Sequence, residues 1–138
     1  MRVFLDTNVL ASAFATRGLC ADFLRHVLAE HDLIIGEVVL HELRAVLREK
    51  LKVPASTVHE IEQLLREQQV IPRPAEPHSL PVRDTSDRWI LASAIAGKAD
   101  VLVTGDSDLL DVASKAPLLL MSPRGFWEML RRGPGAEE

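Results

Sequence analysis

Short apolar runs alternate with amphipathic stretches along the chain, a pattern that predicts a sheet covered by helices. Val3 to Leu5 reads as a buried strand, Leu33 to Ile35 as a second, and Val70 and Ile71 as a minor one. Val101 to Val103 is the clearest strand after the first, and Leu118 to Met121 is another. Between them, helical periodicity recurs over Asn8 to Phe14, Ala21 to Ala29 and Glu37 to Leu51. In the last of these, Val39, Leu43, Val46 and Leu47 share a face. Pro54 ends that helix, and Ser56 or Thr57 is the expected cap of the next, which carries Ile61, Leu64 and Leu65. Prolines at 72, 74, 77 and 81 make an extended connector, too short for a domain boundary. Ser86 is the expected cap of a helix running through Ala96, closed by Gly97. A final helix begins near Pro123 and is expected to bury Phe126, Trp127 and Leu130. One domain over 1–132 followed by a disordered tail over 133–138 is the resulting division.

Composition changes this picture little. A chain of 138 residues with 47% hydrophobic and 26% charged residues is ordinary for one globular domain. No apolar run approaches the roughly 20 residues of a membrane span. The early Asp6 argues against a secretory signal, and the lone Cys20 fits a reducing cytoplasm and inert packing. A net charge of −4 argues against a general duplex-DNA binder. Setting four site carboxylates aside leaves 16 acids against 16 bases, so charge alone leaves a nucleic-acid enzyme open.

Open parallel sheets collect ligands beyond the carboxyl ends of their strands, where strand order reverses. Asp6 directly follows the first strand, and Asp106 follows Val101–Val103, so both should emerge at one edge of the sheet. Either acid alone reads equally well as a helix cap. Asp87 follows Ser86 and lies on the face of Ile90 and Leu91; the plain alternative is an acid placed to suit the helix dipole. Glu42 borders the apolar stripe at Leu43, and its weight comes only from the other three. Carboxylates crowded together must take up protons or bind a cation. Oxygen donors without paired cysteines or histidines suit Mg2+ or Mn2+ over Zn2+. Thr7, Asn8, Thr104 and Asp108 are candidate orienting or substrate-contacting groups, each equally readable as a cap or turn residue.

Phe-Leu-Asp-Thr-Asn-Val-Leu at 4–10 resembles the opening motif of the PIN-domain family, and Val-Leu-His-Glu-Leu-Arg-Ala-Val-Leu at 39–47 is similar to its second. Asp-Arg-Trp-Ile-Leu-Ala-Ser-Ala at 87–94 looks like the third, and Leu-Val-Thr-Gly-Asp-Ser-Asp-Leu-Leu at 102–110 like the fourth. Ser-Pro-Arg-Gly-Phe-Trp at 122–127 resembles the end of toxin members. The resemblance implies a three-layer α/β/α sandwich around a parallel sheet of four to five strands. It also implies Mg2+- or Mn2+-dependent hydrolysis of RNA by activated water, often by the toxin of a VapC-type toxin–antitoxin pair. Carried over residue by residue, it makes Asp6, Glu42, Asp87 and Asp106 metal ligands, with Asp108 an accessory acid. A small antitoxin partner and a homodimer or larger homo-oligomer are further family traits. Asp84 precedes the same helix as Asp87; helical phase favours Asp87, while Asp84 remains able to reach from the loop.

Other signals are weaker. His41-Glu42-Leu43-Arg44-Ala45 starts like a zinc-protease helix but has Ala45 where the second histidine is required. There is no phosphate-binding glycine loop and no nucleophile elbow. Arg44, Arg48, Lys50 and Lys52 form a basic cluster that offers phosphate steering or simply a solvated helix face. Arg88, beside the third acid, carries the same ambiguity, and Trp89 and Trp127 read as core anchors. Two rivals stand beside the nuclease: an inert module that binds RNA or protein, and a phosphohydrolase with Asp6 as nucleophile. The second wants an acid where Asn8 stands.

Overall fold

Val3, Phe4 and Leu5 are consecutive, and all are buried. Successive strand residues point to opposite faces, so both sides of this strand are covered. The same holds for Leu33 to Ile35 and for Val101 to Val103. The computed structural model describes residues 1–132, and the expected tail at 133–138 lies outside the described residues. It contains five strands: β1 (Arg2–Leu5), β2 (Asp32–Gly36), β3 (Gln69–Ile71), β4 (Val101–Val103) and β5 (Leu119–Met121). They form one sheet in the order β3-β2-β1-β4-β5, and every pairing is parallel.

The helices are α1 (Thr7–Ala15), α2 (Leu19–Glu30), α3 (Glu37–Ala45), α4 (Ala55–Arg66), α5 (Thr85–Ala96), α6 (Ser107–Leu110) and α7 (Pro123–Arg132). They cover the sheet as a three-layer α/β/α sandwich. Phe23 of α2 meets Phe126 of α7 edge to face, with ring centroids 5.6 Å apart. Strand order reverses at the β1–β4 pair. There the Asp6 N–H donates to the Val103 carbonyl at 3.0 Å, so the exits of the two strands are pinned side by side.

Several local expectations are corrected. Pro54 occupies the N-cap of α4, without a side-chain bond, and the helix begins at Ala55, ahead of Ser56 and Thr57. Asp84, not Ser86, caps α5; Ser86 lies in the first turn and donates its N–H to Asp84 Oδ1 at 3.0 Å. The stretch expected as one helix to Leu51 changes pitch after Ala45 and continues as a π-helical turn over Val46–Lys50. The short α6 was not foreseen. In α7 the fully covered residues are Phe126 and Met129, while Trp127 and Leu130 are only partly buried.

Gly97 does sit at the end of α5, but for a different reason than a left-handed cap. Its φ is −80°, and the left-handed residue is Lys98 at φ 55°. A Cβ on Gly97 would stand 2.8 Å from Ile34 Cγ2 and 2.9 Å from Ile71 Cγ1. Those isoleucines are buried on β2 and β3 and cannot retreat without moving the sheet. Gly97→Ala is therefore expected to cost about 1–3 kcal/mol, by the usual scale of overpacking. Gly105→Ala, whose Cβ would meet nothing within 4 Å, is the control and should leave the melting temperature unchanged. Equal melting temperatures for the two variants would refute this account of Gly97.

Candidate carboxylate centre

Asp6 leaves β1 at the strand-order reversal and is 4% exposed. Both of its oxygens are spoken for. Oδ1 accepts the Thr7 N–H at 2.7 Å, the capping bond of α1, and Oδ2 accepts the Thr104 hydroxyl at 2.7 Å. Thr104 is fully buried one residue past β4, and its Oγ1 also accepts the Asp106 N–H at 3.0 Å. Asp106 in turn caps α6, with Oδ1 accepting the Asp108 N–H at 2.8 Å. On the other side, the Thr7 hydroxyl donates to Glu42 Oε2 at 3.0 Å. A continuous chain of hydrogen bonds thus runs from Glu42 through Thr7, Asp6 and Thr104 to Asp106 and Asp108.

The acids expected as helix caps and the acids expected as a site are therefore the same residues. Capping uses one oxygen of Asp106 and leaves the other unassigned among the described residues. Asp87, in the first turn of α5, supplies the closing wall. One carboxylate oxygen each from Asp87, Asp106 and Asp108 lies within 4.8 Å of the other two. Asp87 Oδ2 is buried and has no hydrogen-bond partner among the described residues. An orphaned buried carboxylate oxygen costs desolvation energy with no return unless a proton or a cation meets it.

The titration behaviour reflects that crowding. Burial pushes the Asp87 carboxyl up to about 8, helped by the neighbouring Asp106 carboxylate, which favours a proton on Asp87, and by the charges of Asp106, Asp6 and Asp84. Burial also raises Asp6, against the opposing pull of its bonds to Thr104 and Thr7. Glu42 is raised by burial too, opposed by Thr7, with Asp6 and Asp84 adding repulsion. Three oxygen-donor acids converge, and one keeps a bare buried oxygen. That donor set fits a hard divalent cation better than it fits isolated side chains.

The remaining expected residues divide. Asn8 is exposed on the first turn of α1. Thr104 is too deeply buried to meet a substrate directly and instead holds Asp6 and the Asp106 backbone. Arg44 turns away from the acids: its guanidinium bonds Glu62 on α4 at 2.8 Å, and Arg48 donates to the Val53 carbonyl at 3.0 Å. Arg88 ties the proline-rich connector through the Val82 carbonyl at 3.1 Å. Asp84 faces the cluster electrostatically but spends Oδ1 on capping α5. Trp89, expected as a core anchor, is half-buried and lines a cavity beside Glu42. The Arg44–Glu62 pair and the cavity wall had no signal in the sequence, because each joins separate elements.

A family profile described as PIN domain matches residues 2–108. No curated protein matches the sequence. Among solved structures, the fold is similar to a chain of VapBC2 from Rickettsia felis, bound there to a DNA fragment from its promoter. That match has 20% identity and a TM-score of 0.60, and covers 88% of this chain and 98% of that one. FitAcB from Neisseria gonorrhoeae is similar at 16% identity and a TM-score of 0.59, covering 88% of this chain and 98% of that one. VapBC-1 from nontypeable Haemophilus influenzae is similar at 18% identity and a TM-score of 0.61, covering 90% and 99%.

Proposed function

The chain belongs to the PIN-domain family, and from that premise we propose that it is a divalent-metal-dependent endoribonuclease acting as the toxin of a toxin–antitoxin pair. The observation that carries the nuclease reading is the convergence of Asp87, Asp106 and Asp108, with Asp87 Oδ2 buried and unpartnered. Those three would hold the cation, and Asp6 and Glu42 flank them through the threonine-linked chain. The chemistry supplied by Mg2+ or Mn2+ held by Asp87, Asp106 and Asp108 would be a lowered water pKa and relief of charge on the phosphodiester leaving oxygen.

The protein's own groups do the rest. Thr104 and the Thr7 N–H fix both Asp6 oxygens, so that carboxylate presents one orientation to the centre. Thr7 holds Glu42 from one side while leaving its other oxygen unbonded among the described residues. Crowded acids repel a phosphate until a cation arrives, which ties placement of the scissile phosphate at the centre to metal loading. Hydrolysis then needs no covalent intermediate. A nucleophilic Asp6 is disfavoured for a geometric reason: both of its oxygens are occupied and it is almost fully covered.

RNA as substrate and an antitoxin as partner are carried by the family reading, and the likeness to VapBC2, FitAcB and VapBC-1 supports the fold on which both rest. No helix among the described residues is long and apolar enough to cross a membrane. A cytoplasmic location and a homodimeric or larger homo-oligomeric state are carried as expectations.

The test incubates the purified protein with structured and single-stranded RNAs in Mn2+, in Mg2+ and in excess chelator. Cleavage in the metals and none in chelator is the expected result. Cleavage of equal rate in chelator would remove the metal-dependent reading, and metal-independent binding without cleavage would favour an inert module. A small protein copurifying from native cells and suppressing cleavage is the expected result for the toxin role.

A further inference from the structure

Beside Glu42 the surface opens into a cavity of about 390 Å³, lined by Glu37, Val38, His41, Glu42, Arg73, Ser86 and Trp89. Glu42 is thus a wall shared between this cavity and the carboxylate centre. Ser86 and Trp89 are three residues apart on α5 and so face the same way. Over the Trp89 ring lies the guanidinium of Arg73, its Cζ 4.2 Å from the ring centroid. Arg73 is exposed and has no carboxylate partner among the described residues, unlike Arg66, which is tied to Glu37 and Glu62.

Resting on the ribonuclease reading, we propose that this cavity is the subsite for the base of a nucleotide flanking the scissile phosphate, stacked on the Arg73–Trp89 pair. A guanidinium held over an indole adds a planar cation to an aromatic face. Unpaired RNA bases stack on such planes, of either aromatic or arginine origin. The volume is ample for a nucleobase and part of its ribose. His41 and Ser86 offer polar groups at the rim for the base edge, and Val38 an apolar contact. Placing the base here draws the adjoining phosphate toward Glu42 and the other acids. It also favours single-stranded RNA, since a paired base cannot leave its stack without added cost.

The test uses a short single-stranded oligoribonucleotide cut at one mapped bond, and versions with an abasic site on either side of that bond. One abasic position should lower kcat/KM about 5- to 100-fold in the unaltered protein, the usual worth of one stacked base. In Trp89→Leu and in Arg73→Gln the same abasic change should cost clearly less, and in the double variant roughly threefold or less, because each single change removes half of the stacking pair and the double change removes all of it. Arg73→Gln leaves the half-buried tryptophan in place, so it remains informative if Trp89→Leu folds poorly. In a second measurement, in chelator, the uncut oligonucleotide should quench the emission of Trp89 in a Trp127→Phe background. Cleavage with an unchanged abasic penalty in both variants would overturn the subsite and leave the nuclease reading standing. Quenching without any cleavage would support the subsite and count against the nuclease reading. If a copurified partner protein shields Trp89 and RNA does not, the cavity belongs to the partner and the proposal fails.

Discussion

Asp87→Asn should make the metal-free protein more stable while lowering metal-dependent cleavage by roughly a hundredfold, the upper end of what losing a group that supports a metal costs. The two effects have one cause. Asp87 is 4% exposed, and Oδ2 has no partner among the described residues, so an ionised carboxylate there is unsolvated and faces Asp106. An asparagine keeps the shape, removes the charge and can donate an N–H to Asp106. The gain is expected to be on the order of 1–2 kcal/mol near pH 8.

The sign with pH follows from linkage. The Asp87 carboxyl titrates at about 8 in the folded protein, against about 3.9 in an unfolded chain. Between those values the folded state binds a proton that the unfolded state lacks. This group's contribution to stability is therefore complete below pH ~4 and is lost as pH rises through about 8. The unaltered metal-free protein should lose stability over that range, and Asp87→Asn should flatten the loss. Mn2+ should raise the melting temperature of the unaltered protein more at pH 8 than at pH 5, and should do little for the variant. Thermal melts across pH, with and without Mn2+, measure all three. A variant that melts lower than the parent at pH 8 without metal would show that Asp87 is not strained.

Much of this arrangement was legible along the chain because it depends on strand ends. A buried apolar triplet followed at once by an acid places that acid at the sheet edge, and Asp6 and Asp106 both obey the rule. What the one-dimensional pattern left ambiguous was which member of a local pair does what. Asp84, Ser86 and Asp87 all suit the start of a helix; helical phase already favoured Asp87 as the inward acid, whereas the cap expected at Ser86 is Asp84. Asp108 looked accessory, yet the capping turn at Asp106 folds it back into the tight cluster. Arg44 read as either a phosphate-steering group or a solvated face, and the pattern gave no hint of the partner it has in the fold, Glu62 of the following helix. Trp89 looked like core because its neighbours are apolar, and it does pack against the core, but it is half-buried and its ring also meets Arg73, from beyond β3, at a cavity wall. Charge patterning assigns composition to a face; it does not say what will stand opposite.

Thr104→Val should have the largest effect of any change that leaves every carboxylate in place. Valine matches the shape of threonine, so the packing around this fully buried position is preserved and only the hydroxyl is lost. That hydroxyl makes two bonds at once, donating to Asp6 Oδ2 at 2.7 Å and accepting the Asp106 N–H at 3.0 Å. Its removal leaves a buried carboxylate oxygen short of a donor and a backbone N–H short of an acceptor. The expected cost is about 2–3 kcal/mol of stability, the scale for a bond to a charged group. The Asp6 carboxyl, already raised by burial and lowered in part by this same bond, should rise further. Cleavage should fall about 10- to 100-fold through misorientation of Asp6 relative to Asp106, with partial recovery at high Mn2+. Thr104→Ser, which keeps the hydroxyl, should stay near the parent in both respects. Because threonine joins the ends of β1 and β4 across the strand-order reversal, the pair of variants asks whether the site is held by that link or by the acids alone. Parental cleavage and stability in Thr104→Val would mean the acids alone suffice.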